Sequence, residues 1–389
     1  MEKPLKVRLH ILSPIHIGCD DVYEPTSFVI DEKKGKLIEF DPMVFIKALN
    51  KQERDELSKV CSGDNLLSIL KTIKRLYRPN IKGHEVDIAS GLLDHYKKVQ
   101  TLSTYDKKVV INQFTMQRTA YNPLNNLPYI PGSSLKGSLR TAYLSSLAQE
   151  NGINSYWKSS GLLSRQDLEK PEYIYKQIGK KHVAKKLEQN LLKGDFATDP
   201  FRMIKVSDLL PEGQIKTRIV YSVNKNKKEG NKATLAGKGD VYQIFEIIQS
   251  GAVFEGTINI EQPNKKSEIK SPITEDKLKK VINKFFIPLL ESEIKILKAL
   301  SIQVPLINEI NQKFKGKINK TAFLIRIGRH SGAEAVTVEG NRFVKIKLPD
   351  TQYTYLNHAT TLWLASEEAK PKNNNGLVPF GWAVMEVVE

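Results

Sequence analysis

One segment of this 389-residue chain carries the residue types that hold an anion at the start of a helix. Residues 130–140 read IPGSSLKGSLR, so a strand end and a glycine precede the hydroxyls of Ser133 and Ser134. Hydroxyls cap the first N–H groups of a helix, and its dipole attracts phosphate. Lys136 and Arg140, four residues apart, lie on one helix face. An ordinary capped helix with solvated charges is the alternative interpretation.

A second glycine-rich segment, residues 326–332, reads RIGRHSG and follows an apolar strand. A glycine lets the backbone approach a phosphate closely, and an arginine can bind one through two N–H groups. The candidates in and after this segment are Arg326, Gly328, Arg329, His330 and Arg342. A tight turn with exposed cations explains the same pattern equally well.

A third candidate is a basic stretch, residues 216–240, which contains seven basic and two acidic residues. A polar, basic hairpin over about residues 221–242 suits the sugar–phosphate backbone of a nucleic acid. Its candidate contacts are Lys225, Lys227, Lys228 and Lys232. Without further context a solvated loop is the simpler interpretation.

Catalytic interpretations have weaker support. None of the seven histidines lies in a metal-ligand spacing such as HExxH. The chain has no Walker A loop, no GxSxG, no GxGxxG and no kinase signature. His16 or His330 could act as a general base in metal-free RNA cleavage by the 2′-hydroxyl, but the sequence supplies no partner for either. We therefore predict no catalytic residue, no metal and no cofactor.

The formal net charge of +17 predicts a polyanionic partner, either nucleic acid or an acidic membrane. The alternative explanation is the genome: thermophilic and AT-rich genomes both raise the lysine content of their proteins, and so the net charge, without any such partner. Cys19 and Cys61 form no CxxC pair, which fits a reducing cytoplasm. The N-terminus lacks the apolar region of a signal peptide, and no stretch approaches the roughly 18 apolar residues of a membrane span. We expect a cytoplasmic protein without membrane contact.

The elements that position these segments follow from hydrophobic periodicity. Residues 5–11 alternate as a half-buried strand, and residues 41–105 have helical spacing, which predicts a helical insertion in a strand-bearing domain. Further strands are expected around residues 203–207, 215–223, 242–248, 253–260, 323–327, 336–338 and 344–348. Pro288 should kink or divide the helix around it. A polar stretch at 262–274 separates predicted domains 1–262 and 263–389, and segregated helices and strands favour an α+β fold.

Several segments, taken together and in this order, resemble the RAMP superfamily of CRISPR effector subunits. They are SPIHIG at 13–18, YIPGSSLKGSLR at 129–140, DPFR at 199–202 with VSD at 206–208, the strand pair around Glu246 and 251–260, and the glycine-rich 326–332. The length, the helical insertion, RIGRHSG and PFGW at 379–382 look most like the subunit that caps the type III-A (Csm) complex.

The resemblance implies two ferredoxin-like (RRM-like) domains whose glycine-rich loops contact RNA. It implies guide CRISPR RNA near its 3′ end as the ligand, with the hairpin at 221–242 touching the guide. Neighbouring Csm backbone and small subunits, target RNA and host nucleases that mature the guide are the further implied partners. The aspartate with which the repeated backbone subunit cuts RNA has no counterpart in CDDVYEPTSFVID at 19–31, so catalysis is not carried over.

Three hypotheses therefore stand at this point. The first is a non-catalytic RNA-binding subunit, the second a metal-independent RAMP endoribonuclease that processes CRISPR RNA, and the third an assembly subunit whose charge is incidental. The predicted RNA-binding residues are His16, Gly18, Ser133, Ser134, Lys136, Arg140, Arg202, Lys225, Lys227, Lys228, Lys232, Arg326, Gly328, Arg329, His330 and Arg342. Replacing Arg326 and Arg329 together by alanine is expected to weaken RNA association and to leave the fold intact.

Overall fold

Two large β-sheets, two small two-stranded sheets and helices packed against them make up the described part of the protein. The computed structural model describes residues 3–63, 65–101, 115–227, 242–264, 266–347 and 353–388. The described strands are β1 Leu5–Ile11, β2 Gly18–Val22, β3 Phe28–Asp31, β4 Lys36–Glu39, β5 His84–Ile88, β6 Met116–Thr119, β7 Tyr121–Asn122, β8 Leu127–Pro128, β9 Ile204–Val206, β10 Leu210–Pro211, β11 Thr217–Asn226, β12 Tyr242–Ile248, β13 Val253–Ile260, β14 Ala322–Arg326, β15 Val344–Lys347, β16 Tyr353–Leu356, β17 Thr361–Ser366, β18 Val378–Pro379 and β19 Trp382–Val388. The two small sheets are β7 with β8 and β15 with β16.

The described helices lie mostly in three groups along the chain. They are α1 Pro42–Ala48, α2 Lys51–Cys61, α3 Leu66–Leu76, α4 Ser90–Gln100, α5 Gly132–Glu150, α6 Tyr156–Ser159, α7 Arg165–Glu169, α8 Pro171–Lys180, α9 Val183–Leu191, α10 Glu275–Ala299 and α11 Leu306–Lys313. Short 3₁₀ turns occur at Pro200–Met203 and Ala333–Ala335. None of these helices is long and apolar enough to cross a membrane.

The first sheet has the order β10-β13-β1-β19-β14, with β9 added beside β13. Strand β1 is antiparallel to both β13 and β19, so it occupies the middle of the sheet. Its apolar residues Val7, Leu9 and Ile11 are buried and its intervening residues are not, as the alternation predicts. Burial of such side chains stabilises by about 1.5–3 kcal/mol each, so this face anchors the core against α5 and α10.

Helix α10 fixes the edge of that sheet. The buried Asn283 donates to the carbonyl of Ala322 at 3.1 Å and accepts from the amide of Leu324 at 2.7 Å. The helix runs from Glu275 to Ala299 without interruption, so Pro288 does not divide it, while a kink at Pro288 stays a prediction. The strand expected at 336–338 is also absent: residues 336 and 337 form a bend after the 3₁₀ turn, and residue 338 belongs to no helix or strand.

The second sheet has the order β2-β6-β12-β11-β5-β4-β3, with β17 paired to β11 and β18 to β17. Strands β11 and β12 form its antiparallel centre, and their buried residues include Tyr221 and Phe245. Helices α1 to α4 lie between residues 42 and 100, with β5 among them. Strand β5 joins this sheet beside β4 and β11, which ties the helical region to the sheet.

Both sheets draw strands from either side of residue 262. In the first sheet β1 pairs with β19, and in the second β11 pairs with β17. The chain therefore has a mixed α and β fold, while the boundary between 1–262 and 263–389 stays a prediction.

Helix α5 begins at a glycine because the preceding chain lies against another strand. A Cβ on Gly132 would stand 2.3 Å from the carbonyl oxygen of Val206 and 2.6 Å from that of Ser207. The Gly132 amide donates to Asp208 Oδ1 at 2.8 Å, which fixes the approach. The helix start is thus held against the turn that follows β9.

We predict that Gly132→Ala destabilises the protein by about 1–3 kcal/mol, because the added methyl group clashes with backbone oxygens. Gly137→Ala in the same helix is the matched control, since a Cβ there meets nothing within 4 Å. An alanine at that position should stabilise by up to about 1 kcal/mol through helix propensity. Urea unfolding measures both, and equal stabilities for the two variants would contradict the packing account.

Candidate nucleic-acid interface

The glycine- and serine-containing segments identified in the sequence meet around one groove of about 440 Å³. Its described lining residues are Ile17, Gly18, Ser133, Ser134, Gly137, Ser138, Thr141, Arg326, Ile327, Gly328, Arg329, Ser331, Ala335 and Val336. Among these residues Arg326 and Arg329 carry the charge, and neither a carboxylate nor an imidazole is present. An anion is the ligand that such a lining favours.

Residues 13–18 form the floor of this region, because their backbone is bonded to three other segments. The amide of Ile15 donates to the carbonyl of Ile248 at 3.0 Å and the reverse bond is 2.8 Å. The amide of Ala120 donates to the carbonyl of Ile17, and that of Gly381 to the carbonyl of Pro14, both at 2.9 Å. The segment therefore connects β1 of the first sheet to β12 of the second.

The loop at 326–332 docks directly on that segment. The amide of Arg329 donates to the carbonyl of His16 at 2.9 Å. Gly328 has a φ of +84°, and a Cβ there would lie 2.7 Å from the same carbonyl oxygen. Glycine is required at this position for both reasons, and its close approach sets where the Arg329 side chain begins.

The exposed Arg329 side chain holds its guanidinium over the ring of Phe245, 5.1 Å from the ring centroid. Nη1 also donates to the side-chain oxygen of Gln117. Within the described part of the chain no carboxylate pairs with it. A cation that is oriented but not neutralised is available to an anionic ligand.

Arg326 has a different environment, since only 7% of the residue is exposed. Its Nη1 lies 2.5 Å from Glu293 Oε2, its Nε donates to the carbonyl of Phe380 at 2.9 Å, and its guanidinium stacks 4.7 Å from the Trp382 ring. Trp382 Nε1 in turn donates to Glu293 Oε1 at 2.8 Å. This buried pair joins α10 to the groove, so the expectation that Arg326 is replaceable without loss of fold conflicts with the geometry.

Three other predicted cations are engaged within the protein. Arg140 donates to Asp199 Oδ2 at 2.8 Å and to Glu188 Oε2 at 2.7 Å, which ties α5 to α9. Lys227 Nζ lies 2.7 Å from Glu334 Oε1, and Arg342 Nη2 donates to the Glu334 carbonyl at 3.0 Å. None of the three lines the groove. Their contacts stabilise the surrounding loops, a role that sequence reasoning did not assign.

The remaining predicted cations are scattered. Arg202 is exposed and lies over the Phe196 ring, 4.7 Å from its centroid. Lys136 is half-buried, and burial followed by the nearby Lys205 lowers its pKa. Lys225 is half-buried on β11 opposite Leu362. Lys228 and Lys232 lie outside the described residues.

The two histidines lie behind the groove. His16 is fully buried, its ring stacks 4.4 Å from that of Phe245, and its Nδ1 donates to the carbonyl of Glu246 at 2.7 Å. His330 has a φ of +63°, stacks 4.5 Å from Trp363 and bonds the Gln243 side chain at 3.2 Å. Burial lowers the pKa of His16 to about 4 and that of His330 to about 3, so both rings are neutral at pH 7.

This arrangement gives the endoribonuclease hypothesis no support. A general base must come within hydrogen-bond reach of the proton that it abstracts, and neither ring lines the groove. Nε2 of His16 has no partner among the described residues, but it is shielded from solvent. No cluster of three His, Cys, Asp or Glu side chains suitable for a metal is found in the described ranges.

Sequence reasoning missed two groups near the groove. Gln117 holds Arg329, and nothing in the sequence around it marks that role. Glu246 is a fully buried carboxylate that accepts hydrogen bonds from the Tyr121 hydroxyl and, at 3.1 Å, from the Thr119 amide. Burial raises the pKa of Glu246. A single acid within the apolar strand YQIFEII was the available signal for this group.

Comparisons with known proteins agree with the sequence resemblance. A family model described as the RAMP superfamily matches residues 8–328. The CRISPR system Cms protein Csm5 of Methanocaldococcus jannaschii is 24% identical over an alignment that covers 99% of this chain and 89% of that protein.

Two solved structures share the fold. A chain of the cryo-EM structure of a Csm–crRNA–target RNA ternary complex, from a type III-A CRISPR–Cas system, aligns with a TM-score of 0.59 and 17% identity. That alignment covers 99% of this chain and 100% of the other. The crystal structure of T. onnurineus Csm5 aligns with a TM-score of 0.55 and 14% identity over 97% of this chain and 99% of the other.

The two groove arginines should differ sharply in their effect on stability. Arg326→Ala leaves Glu293 buried without its cation, which typically costs about 3–5 kcal/mol. Arg329→Ala changes an exposed side chain and should stay within about 0.5 kcal/mol of the wild type. Urea unfolding of the two variants measures the difference. Similar losses for both would mean that the pair with Glu293 does not hold this part of the fold.

Acid should destabilise the protein partly through His330. Its pKa is about 3 in the folded protein and near 6.5 in the unfolded chain, so the unfolded state gains a proton first as the pH falls. The resulting loss is roughly 1 kcal/mol between pH 6 and pH 5. His330→Asn accepts the positive φ without titrating, and it should remove that part of the decline in urea unfolding. An unchanged decline would show that His330 does not stay neutral in the fold.

Proposed function

The chain belongs to the RAMP superfamily, and we propose that it is a non-catalytic, RNA-binding structural subunit of a type III-A CRISPR ribonucleoprotein. The observation that carries the proposal is the groove, in which Arg329 and the hydroxyls of Ser133 and Ser134 stand without any described carboxylate. A phosphate of an RNA backbone fits this chemistry, since an arginine and hydroxyl or amide donors bind its oxygens.

The overall charge supports the same ligand. A net charge of +17 attracts a polyanion, and contacts to phosphate position a nucleic acid without reading its sequence. We therefore expect low sequence selectivity and an affinity that falls steeply with salt. The assembly-only hypothesis predicts instead that association is insensitive to salt.

The likeness to the Csm5 proteins and to a chain of the Csm–crRNA–target RNA complex supports guide RNA and neighbouring Csm subunits as the partners. The proposed place in the complex is the end at which the 3′ part of the guide lies, beside the backbone and small subunits. Target RNA, host nucleases that mature the guide and a cytoplasmic location complete the proposal.

The proposed domain organisation is two ferredoxin-like units, 1–262 and 263–389, with a helical insertion at about 41–105. The proposed hairpin at about 221–242 reaches the guide; its strands β11 and β12 lie antiparallel, and residues 228–241 lie outside the described part of the chain. Each of the two large sheets contains strands from both units, so the two units would act as one body on the RNA.

Replacing Arg329 tests the proposal. Arg329→Ala should weaken the binding of single-stranded guide-like RNA by at least about fivefold, and it should reduce the slope of log K against log salt by about 0.7, the contribution of one phosphate on a single strand. Arg54→Ala removes an exposed arginine on α2 outside the groove and is the matched control. Fluorescence anisotropy at two salt concentrations measures both constants.

The outcomes separate the hypotheses. Unchanged affinity of Arg329→Ala at both salt concentrations would remove the groove from the RNA site. RNA that is shortened after incubation, with EDTA present, would favour the endoribonuclease instead. Association with the backbone subunit that needs no RNA and ignores salt would favour the assembly-only role.

A further inference from the structure

A second surface, away from the groove lining, combines aromatic rings with lysines on one face of a β-hairpin. Strands β15 and β16 pair so that Lys345 lies opposite Tyr355 and Lys347 opposite Tyr353. Side chains alternate along a strand, so Phe343 shares the face of the two lysines. We call these five residues the aromatic ribbon. Val344, Ile346 and Leu356 occupy its other face.

Rings of the ribbon already stack on one another. The Phe343 and Tyr355 ring centroids are 4.4 Å apart with an interplanar angle of 5°. Trp157 packs beside Phe343 at a tilt, with ring centroids 4.6 Å apart and an interplanar angle of 55°, and Lys158 lies over its face at 4.8 Å. The Phe343 and Tyr355 rings are parallel, as stacked bases are, so the ribbon offers the kind of surface on which a nucleobase stacks.

At the other end of the ribbon one ammonium group lies between two exposed tyrosines. Lys345 Nζ is 3.7 Å from the ring centroid of Tyr353 and 5.2 Å from that of Tyr175 on helix α8. Tyr175 is 56% exposed and Tyr353 37% exposed. Both rings are therefore accessible to a ligand.

The lysines of this surface have no carboxylate partner among the described residues. Within the described ranges, Lys158, Lys345 and Lys347 have no carboxylate within 4.0 Å. Rings with adjacent unpaired lysines suit a ligand that is both aromatic and anionic. A protein partner would satisfy the rings, but it would need carboxylates placed at each lysine.

We propose that the aromatic ribbon is a stacking platform for unpaired bases of single-stranded RNA. The bases stack on Tyr175 and Tyr353, and the intervening phosphate meets the Lys345 ammonium. Base–aromatic stacking tolerates any sequence because every base has a π-face, and it is a general mode of single-strand recognition. This platform adds contact with the bases to the phosphate contacts of the groove.

One stretch of chain connects the two surfaces. Ala335 and Val336 line the groove, and Phe343 lies in the ribbon seven residues further on, at most about 25 Å away. The intervening turn is fixed on α5 and its end, where the amide of Glu339 donates to Ser145 Oγ at 3.1 Å and Asn341 Nδ2 to the carbonyl of Ile153 at 2.7 Å. A single RNA strand of a few nucleotides can therefore span both.

The inference rests on the proposed function in one respect, that the ligand is RNA. Its test compares oligouridylate with an abasic sugar–phosphate oligomer of the same length and charge, each titrated into the full chain. Tyr175→Leu combined with Tyr353→Leu should lose about fivefold or more of the affinity for oligouridylate and none for the abasic oligomer. Arg329→Ala should lose affinity for both oligomers.

Conservative substitutions keep the experiment decisive if leucine disturbs the hairpin. Tyr175→Phe combined with Tyr353→Phe retains the rings and should bind oligouridylate like the wild type. The platform is overturned if the leucine variant binds oligouridylate normally, or if it loses both oligomers equally. Equal wild-type affinity for the two oligomers overturns the platform but leaves the groove as the proposed phosphate site. A wild type that binds neither oligomer overturns the proposed function as well.

Discussion

The groove depends on the main chain of residues 13–18, which crosses from one sheet to the other with its backbone groups bonded to three distant segments. Since the His16 carbonyl accepts the Arg329 amide, the arginine-bearing loop is attached to the junction itself. Gly328 permits that approach, because any side chain there would meet the same carbonyl oxygen. The position of the exposed arginine is thus set by hydrogen bonds between backbones, so under the proposed function a phosphate would meet an arginine that is already in place.

The two arginines of this loop, three residues apart, have different environments. Arg326 points inward to Glu293 and Trp382, so its charge is neutralised and it holds α10 against the groove wall. Arg329 points outward over Phe245 and keeps its charge. The loop RIGRHSG therefore uses one arginine to hold the fold and leaves the other exposed for the proposed ligand. The large positive charge of the chain adds long-range attraction, while the two rings of His16 and His330 pack neutral behind the groove.

Much of the groove was predictable because its parts are local patterns. The alternation in β1, the helix that begins at IPGSSLKG and the glycine-rich loop are all legible in the sequence, and the structure brings them together. The burial of Arg326 could not be predicted, because its partner Glu293 lies on a helix whose charged residues look solvated in the sequence. The ion pairs of Arg140 could not be predicted for the same reason, since Asp199 and Glu188 are 59 and 48 residues away. Lys345 of the ribbon lies over the ring of Tyr175 on α8, a contact that only the tertiary structure supplies.

Ultraviolet cross-linking of the chain to its guide RNA in the assembled ribonucleoprotein, with cross-linked peptides identified by mass spectrometry, tests the central claim most directly. The account predicts cross-links in the peptides that line the groove, around Gly18, residues 133–141 and Arg329. Cross-links confined to the charged face of the first sheet around Arg8 and Glu255 would contradict it, because the RNA would then lie where Arg8 already has the carboxylates of Glu212 and Glu255 as partners.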